Sequence, residues 1–270
     1  MEESMANSPS GESVVDRIVR LLSAFERSTP RLSMSELSRA TDLPTSTTHR
    51  LATELLRVGL LDRDAEGRFG VGVKMWELAA RTNQVEYFRR RGLPVLEGIH
   101  EALRQHVSLS IPSFADFTVL YLERLDTLGV ATNLAEVAGR LDMRSTSPGL
   151  CMIAHAANEI QEKFLSVASL EATEHIDGAP GQGRVQLAQI REHGYARVAG
   201  LLVKENVGYG VPIFGQRNEV IGAISVVTPL IEDDPRLIVP VLIAAGHTLS
   251  RSMGAERRPY GSQSWRSSGY

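Results

Sequence analysis

The segment LPTSTTHRLATELL, Leu43 to Leu56, starts with small hydroxyl side chains and a basic pair and then becomes apolar. Pro44 suits the first position of a helix, where its missing N–H is no loss. At 100° per residue, Leu51 and Leu55 share one side of this helix, and Thr48 is a mild misfit among them. The polar face carries Thr45, Ser46, His49, Arg50, Thr53 and Arg57. The pattern predicts an amphipathic helix with one face buried.

The flanking sequence supplies the neighbours that this helix needs. The run SVVDRIVRLLSAF (13–25) has apolar residues at helical spacing and predicts a first helix. Ser33 and Glu36 form a capping-box pattern for a second helix that ends near Ala40. In GLLDRDAEGRFGVGVKM, two short apolar pieces flank a turn at 64–67, which is typical of a β-hairpin. Three helices and a hairpin predict a winged helix-turn-helix.

The remaining chain predicts a second, mixed domain. Residues 75–91 read as a joining helix, and Gly92 and Pro94 then punctuate the chain and start a new helix. Further strands are expected at 108–111, 118–125, 208–214 and 220–227, and helices at 149–165, 185–193 and 235–253. The fold class is therefore α+β. We expect a disordered leader (1–12), a winged helix-turn-helix domain (13–74), a linker helix (75–91), an α/β domain (92–254) and a disordered tail (255–270).

Composition narrows the class of protein. The 270 residues are 43% hydrophobic, enough for a core in each of two domains. Apolar segments fall short of the ~20 residues of a membrane helix, and the N-terminus does not resemble a secretion signal, so no membrane association is expected. One cysteine, Cys151, excludes an internal disulfide and fits the reducing cytoplasm. Residues 14–91 carry 14 Lys/Arg and 10 Asp/Glu, whereas residues 92–270 carry 15 and 19. The first third is the better candidate to bind a polyanion.

Three motifs suggest catalysis or metal binding, and each is better explained otherwise. Ser46 and His49 lie on an exposed helix face without an orienting acid or a nucleophile elbow. In HEALRQH (100–106) the two histidines are six apart, whereas a zinc-binding pair on a helix is four apart. Cys151 and His155 have helical i, i+4 spacing, but no third ligand is evident. We predict no catalytic residue, no metal and no cofactor.

Glycines in VGYGVPIFG (207–215) do not open a helix, so they are not a dinucleotide fingerprint. Gly208 and Gly210 instead leave space beside a strand. Either another backbone or a small ligand could fill that space, and the sequence favours neither.

DNA recognition explains the opening helix best. Its hydroxyls and first N–H groups can donate to phosphate, while His49, Arg50 and Thr53 point to base edges in a major groove. The alternative is an ordinary solvated helix, but Ser and Thr are poor helix formers with little reason to cluster. The expected DNA-binding residues are Ser33, Thr45, Ser46, Thr47, His49, Arg50, Thr53, Arg57 and Arg68.

The order of these features resembles the IclR family of bacterial transcriptional regulators. The N-terminal runs resemble its winged helix, with the pattern Pro-x-Ser-Thr-x-His-Arg-Leu in its recognition helix. The segments GLPVLEGIHEAL, VLYLERLD, GYARV and VPIFGQRNEVIGAISVVTP resemble its effector-binding domain, a GAF/PAS-like α/β fold. The resemblance implies a homodimer or dimer of dimers that binds a palindromic double-stranded DNA operator and senses a small molecule.

The effector domain departs from the family pattern in its central segment. LDMRSTSPGLC places Asp142, Arg144, Leu150 and Cys151 where the family has Pro, His, Lys and Ala. The resemblance implies a pocket formed by Val130, Asn133, Ser147, Pro148, Gly149, Val198, Asn206, Gly208, Ser225 and Val227. This apolar lining favours an uncharged, aromatic or larger effector. A carboxylate held by Ser147, Ser225 and backbone amides is the alternative.

Two other functions compete with a ligand-responsive regulator. One is a GAF-like sensor or protein-interaction module that has lost sequence-specific DNA binding. The other is an enzyme in the C-terminal half, which lacks a matched acid, base and nucleophile.

Overall fold

The computed structural model describes residues 12–26, 28–81, 84–127, 131–168 and 183–256. They divide into two compact units between Asn83 and Gln84. Val130, and the predicted leader and tail apart from Glu12, Ala255 and Glu256, lie outside the described residues. No described helix is long and apolar enough to cross a membrane.

The N-terminal unit is a winged helix-turn-helix, as predicted. Its elements are α1 (Val14–Leu22), α2 (Met34–Thr41), α3 (Thr45–Arg57), β1 (Leu61–Arg63), β2 (Phe69–Val71) and α4 (Val73–Ala80). The capping box at Ser33 is confirmed, with Ser33 Oγ accepting from the Glu36 backbone N–H and the Glu36 carboxylate accepting from the Ser33 N–H at 2.7 Å. The core contains Leu21, Leu37, Leu51, Leu55, Leu61 and Phe69.

The hydrogen bonding of Thr48 explains why this polar residue lies on the apolar face of α3. The side chain is fully buried, and its hydroxyl donates to the carbonyl of Pro44 at 3.2 Å. A buried hydroxyl costs little when it bonds the preceding helical turn. Thr48 therefore packs in the core as a compact, satisfied side chain.

The wing is a two-stranded antiparallel hairpin in which Asp62 pairs with Gly70. Gly67 adopts a φ of +81° in the turn, a conformation that L side chains rarely adopt. Phe69 also exchanges two backbone hydrogen bonds with Leu32, at 2.9 and 2.7 Å. The hairpin is therefore tied to the segment before α2.

The predicted joining helix over 75–91 is not found. Instead α4 ends at Ala80, and a new helix, α5 (Gln84–Leu103), runs through Gly92 and Pro94. Gly92 does not interrupt α5, because it packs closely against Leu109. A Cβ at this position would lie 2.5 Å from the Leu109 side chain. This tertiary contact, which is not visible in the sequence, outweighs the low helix propensity of glycine.

The C-terminal unit consists of an antiparallel sheet covered on both faces by helices. After α5 come β3 (His106–Ser113), β4 (Thr118–Leu125), β5 (Arg140–Asp142), α6 (Ser147–Ala154), α7 (Asn158–Ala168), α8 (Gly183–His193), β6 (Ala196–Ala199), β7 (Asn206–Phe214), β8 (Val220–Pro229) and α9 (Pro235–Ser252). The strand order is β5-β4-β3-β8-β7-β6. The predicted α+β fold class, with a mixed C-terminal domain, is confirmed.

Two apolar clusters fill this unit. Strand alternation sends Val107, Leu109 and Ile224 to the α5–α9 side. The opposite cluster includes Val119 and all of α6 from Leu150 to Ala154. Ala255 packs in this second cluster, so ordered structure extends past the predicted end at residue 254.

The helix predicted over 149–165 is divided into α6 and α7. Gln161 stabilises the break because its amide donates to the carbonyl of Ala156 at 2.8 Å, a group that would otherwise lack a helical partner. The strands β5 and β6 were not predicted. Each has only three or four residues, too few to show an alternating pattern.

Candidate functional site

The polar face of α3 is the first candidate site. Thr45, Ser46, His49, Arg50 and Thr53 are exposed, while the opposite face is buried. Within 12–26 and 28–81, neither His49 nor Arg50 forms a hydrogen bond or ion pair. The predicted set therefore shares one open surface.

The start of α3 is open to an anion. Its N-cap is Pro44, which provides no side-chain cap, and its first turn contains no acid. Thr45, Ser46 and Thr47 thus begin a helix whose N–H groups and positive dipole end are not neutralised within the helix. This arrangement suits a phosphate oxygen.

Three other predicted DNA-binding residues have partners already. Ser33 caps α2. Arg57 pairs with Glu54 at 2.9 Å, and Arg68 pairs with Asp64 at 3.1 Å. Both arginines are exposed, and surface ion pairs of this kind are generally weak.

A cavity in the C-terminal unit is the second candidate site. It encloses about 70 Å³ between the sheet, the start of α6 and two loops. Eight of the ten predicted effector residues line it: Asn133, Ser147, Pro148, Val198, Asn206, Gly208, Ser225 and Val227. Val130 lies outside the described residues, and Gly149 is not part of the lining.

Gly149 has a packing role. A Cβ there would lie 2.4 Å from the Met143 backbone, so α6 can approach only with glycine at this position. Its N–H donates to Thr146 Oγ1 at 3.2 Å, and Pro148 has no N–H. Of the backbone amides at the start of α6 that could hold a carboxylate, only the Ser147 N–H is therefore left, since Pro148 has none and that of Gly149 is bonded.

Four buried hydroxyls lie in the cavity lining, which also contains polar groups of Asn133 and Asn206. Ser108, Tyr121, Ser147 and Ser225 are at most 4% exposed, and none has a hydrogen-bond partner among the described residues. Burial raises the pKa of Tyr121, so its phenol stays protonated. Lys, Arg, Asp, Glu and His are absent from the described lining. The cavity therefore offers neutral donors and acceptors.

Sequence reasoning missed Ser108 and Tyr121. A signal was present, because alternation in β3 sends Ser108 and Ser110 to one face and Leu109 to the other. Tyr121 is harder to predict, since a bulge between Leu109 and Ser110 shifts the register with β4.

The two glycines of β7 have different neighbours. A Cβ at Gly210 would lie 2.6 Å from the Ser147 backbone, so this glycine makes room for another backbone. A Cβ at Gly208 would lie 3.0 Å from Ser147 Oγ, and Gly208 lines the cavity. Gly210 therefore makes room for another backbone, and Gly208 borders a cavity that a small ligand could occupy.

The other motifs have structural roles. Cys151 is fully buried, burial raises the pKa of its thiol, and its S–H faces the carbonyl of Pro148 at 3.2 Å. Burial lowers the pKa of His155. His100 contacts the carbonyl of Gln105, and His106 contacts Asp126. In the described part of the chain, no three His, Cys, Asp or Glu residues are placed to hold a metal.

A winged helix-turn-helix in the same chain as an α/β unit with a buried polar cavity defines a ligand-responsive regulator of transcription. Two family models match the chain, the IclR helix-turn-helix domain over residues 14–65 and the bacterial transcriptional regulator IclR C-terminal domain over residues 84–250. The chain belongs to the IclR family.

Individual relatives agree with this assignment. The crystal structure of an IclR homologue from Microbacterium hydrocarbonoxydans, in complex with 4-hydroxybenzoate, is 32% identical with a TM-score of 0.80, covering 89% of this chain and 99% of that one. A regulator from Silicibacter sp. TM1040 is 26% identical with a TM-score of 0.72, covering 90% and 97%. The transcriptional repressor IclR of Escherichia coli K12 is 25% identical and covers 81% of each chain. This protein is accordingly an effector-modulated DNA-binding regulator.

Proposed function

We propose that this regulator binds a palindromic operator as a homodimer, and that an effector in the C-terminal cavity alters that binding. The observation that carries the proposal is the exposed His49–Arg50 pair, on a helix whose other face is buried in the core. A helix anchored in this way can enter a major groove while its side chains keep their direction.

Residue roles follow from position on the N-terminal unit. Arg50, His49 and Thr53 would contact base edges, since they project from the exposed middle of α3. Thr45, Ser46 and Thr47 would bind phosphate at the helix start, and Ser33, Arg57 and Arg68 would contact the backbone nearby. Residues 13–74 would then serve as the DNA-binding domain and residues 92–254 as the effector-binding domain.

The effector would be a small molecule held mainly by neutral groups. The relative from Microbacterium binds 4-hydroxybenzoate, and this supports a small aromatic acid or a neutral analogue. The described lining has no cation, so a carboxylate would depend on hydroxyls and on the Ser147 N–H. The cavity would bind and not catalyse, because its hydroxyls lack a neighbouring general base.

Dimerisation would use α4. Val73 and Trp76 are 69% and 70% exposed within their unit, and Leu78 is 49% exposed. An isologous contact between two copies of α4 would bury these side chains and fix the spacing of two half-sites; dimers could pair further. Because an operator lies on the chromosome, the protein would work in the cytoplasm.

A mobility-shift titration on DNA from upstream of its own gene, at several salt concentrations, tests DNA recognition. A protein that recognises bases in the major groove should prefer one DNA sequence and lose affinity steeply as the salt concentration rises. A sensor without DNA binding would show neither behaviour, and that outcome would favour the protein-interaction alternative.

A further inference from the structure

One wall of the cavity is an irregular segment, residues 131–135, that we call the lining segment. Its last four residues line the cavity, and none of the five belongs to a helix or strand. Side chains from the sheet and its connections contact its backbone carbonyls, so these side chains determine where the segment lies. The contacts are His106 Nε2 with Ala131 O at 2.5 Å, Asn206 Nδ2 with Thr132 O at 2.8 Å, and Arg124 with Ala135 O.

Asp126 connects these contacts to one another. One oxygen of its carboxylate lies 2.8 Å from His106 Nδ1 and accepts from Asn133 Nδ2 at 3.3 Å. The other oxygen accepts from Arg124 Nε at 2.6 Å. The lining segment is therefore joined to β3 and β4 through one carboxylate and the two side chains that it bonds.

The ring of His106, which is only 6% exposed, faces an acceptor at each nitrogen. Nδ1 faces the Asp126 carboxylate and Nε2 faces the Ala131 carbonyl. A neutral imidazole has one N–H, so one of its nitrogens would direct a lone pair at an oxygen. The backbone N–H of Thr127 lies 3.4 Å from Nδ1, which is too far to replace a normal hydrogen bond. The imidazolium alone donates to both acceptors.

The surroundings of His106 are charged on the side of Asp126. That carboxylate is also paired with Arg124, whereas β8 presents the apolar Val227 opposite His106. Histidine side chains ordinarily change charge between about pH 5 and 8, and carboxylates do so at lower pH. Two titratable side chains contact the adjoining Gln105 instead, namely His100 of α5 at 3.0 Å and Glu232 at 2.9 Å.

We infer that His106 is a positioning residue whose imidazolium holds the lining segment against the sheet. A neutral ring loses one of its two bonds, so the segment is held while the ring is protonated and loosens as the pH rises. This role rests on the proposed effector site, because the segment is a wall of that cavity. It makes access to the cavity sensitive to pH near neutrality, without any change in the helix that carries His49 and Arg50.

Hydrogen exchange of the full chain, without ligand or DNA, tests this role. Peptides that cover 131–135 should lose about tenfold in protection between about pH 6 and about pH 8.5, after correction for intrinsic rates, since one charge-assisted bond is lost. Peptides from β7 should keep their protection. His106→Gln should exchange rapidly at both pH values, whereas His100→Gln, the matched control, should behave like the wild type.

A second measurement on the wild type covers the case in which His106→Gln does not fold. Nitrogen-15 shifts of the histidine rings should show a doubly protonated His106 at about pH 6, with one proton lost by about pH 8.5. The role is overturned by a neutral ring at the lower pH, by pH-independent protection of 131–135, by equal loosening of β7, by a pH step that persists in His106→Gln, or by its loss in His100→Gln. A wild-type protein that passes these tests but binds no operator would contradict the proposed function alone.

Discussion

The guanidinium of Arg50 is available to bind DNA because Glu54 pairs with another arginine. Glu54, one helical turn later, bonds Arg57 through two contacts of 2.9 and 3.0 Å. The guanidinium of Arg50 therefore has no ion pair among the described residues. The sequence predicted the exposure of Arg50 from the helical wheel, but the partner choice of Glu54 depends on side-chain conformation, which periodicity does not specify.

Replacing Arg50 should show whether this residue contacts a base or only attracts the phosphate backbone. Arg50→Ala should cost about 1–3 kcal/mol of specific binding and relax preference at one base pair, while non-specific affinity changes less. Competition mobility shifts on operator variants measure this. Arg57→Ala serves as a control, and its already paired side chain should give a smaller loss. A uniform loss on all sequences would assign Arg50 to phosphate contact.

The two glycines of β7 make a second residue-scale comparison. Gly210→Ala places a methyl 2.6 Å from the Ser147 backbone and should destabilise the unit by about 1–3 kcal/mol. Gly208→Ala meets only the Ser147 hydroxyl, which can rotate, so the fold should persist while effector binding weakens. Thermal unfolding with and without a bound effector distinguishes them. A Gly208→Ala protein that binds its effector normally would remove this position from the site, and equal destabilisation by both changes would mean that Gly208 only relieves crowding.

At the scale of elements, prediction succeeded where periodicity and caps agree. Helices α1–α3, the wing and the long strands β3, β4, β7 and β8 were predicted with small boundary errors. Errors arose where tertiary contacts decide. Gly92 remains helical because Leu109 packs against it, and α6 ends early because Gln161 bonds the carbonyl of Ala156. Neither contact has a local sequence pattern.

The capping box of α2 should make that helix sensitive to acid. Two hydrogen bonds from Ser33, first the backbone N–H and then the hydroxyl, lower the pKa of Glu36 below its ordinary 4.5. A lowered folded-state pKa gives stabilisation that is present above 4.5 and is lost as the pH falls through the folded value. Hydrogen exchange of α2 amides should therefore speed up below about pH 4.5, after correction for intrinsic rates.

Ser33→Ala should cost about 1 kcal/mol of local stability at neutral pH. It should also flatten the acid dependence, because Glu36 loses one of its two donors. Ser13→Ala, which removes the equivalent cap of α1, is the matched control and should leave α2 exchange unchanged. An unaltered pH profile in Ser33→Ala would show that the box does not stabilise α2.

At the scale of the whole molecule, α4 is one of the apolar surfaces that the N-terminal unit leaves exposed. The apolar residues Met75, Trp76, Leu78 and Ala79 lie on this helix, and no residue of α4 is buried. How two copies meet is a property of the assembly, which a single chain's periodicity cannot specify.

Trp76→Glu should convert the protein to a monomer. A charge at this position would lie in the proposed contact between two α4 helices, where its desolvation is costly. Sedimentation at micromolar concentration should show a dimer for the wild type and a monomer for the variant, which should keep the fold of each unit. Wild-type protein that sediments as a monomer, or a variant that stays dimeric, would contradict this use of α4.

The thiol of Cys151 can serve as an intrinsic probe of how often α6 opens. It is the single thiol of the chain, it is completely buried, and it lies one turn after Ser147 on α6. A thiol-specific reagent can reach it only when α6 opens, so the rate of labelling measures that opening. A ligand that bridges Ser147 and the sheet would slow the labelling in proportion to its occupancy. Effectors could thus be screened through the reactivity of one natural side chain, without DNA and without an added probe.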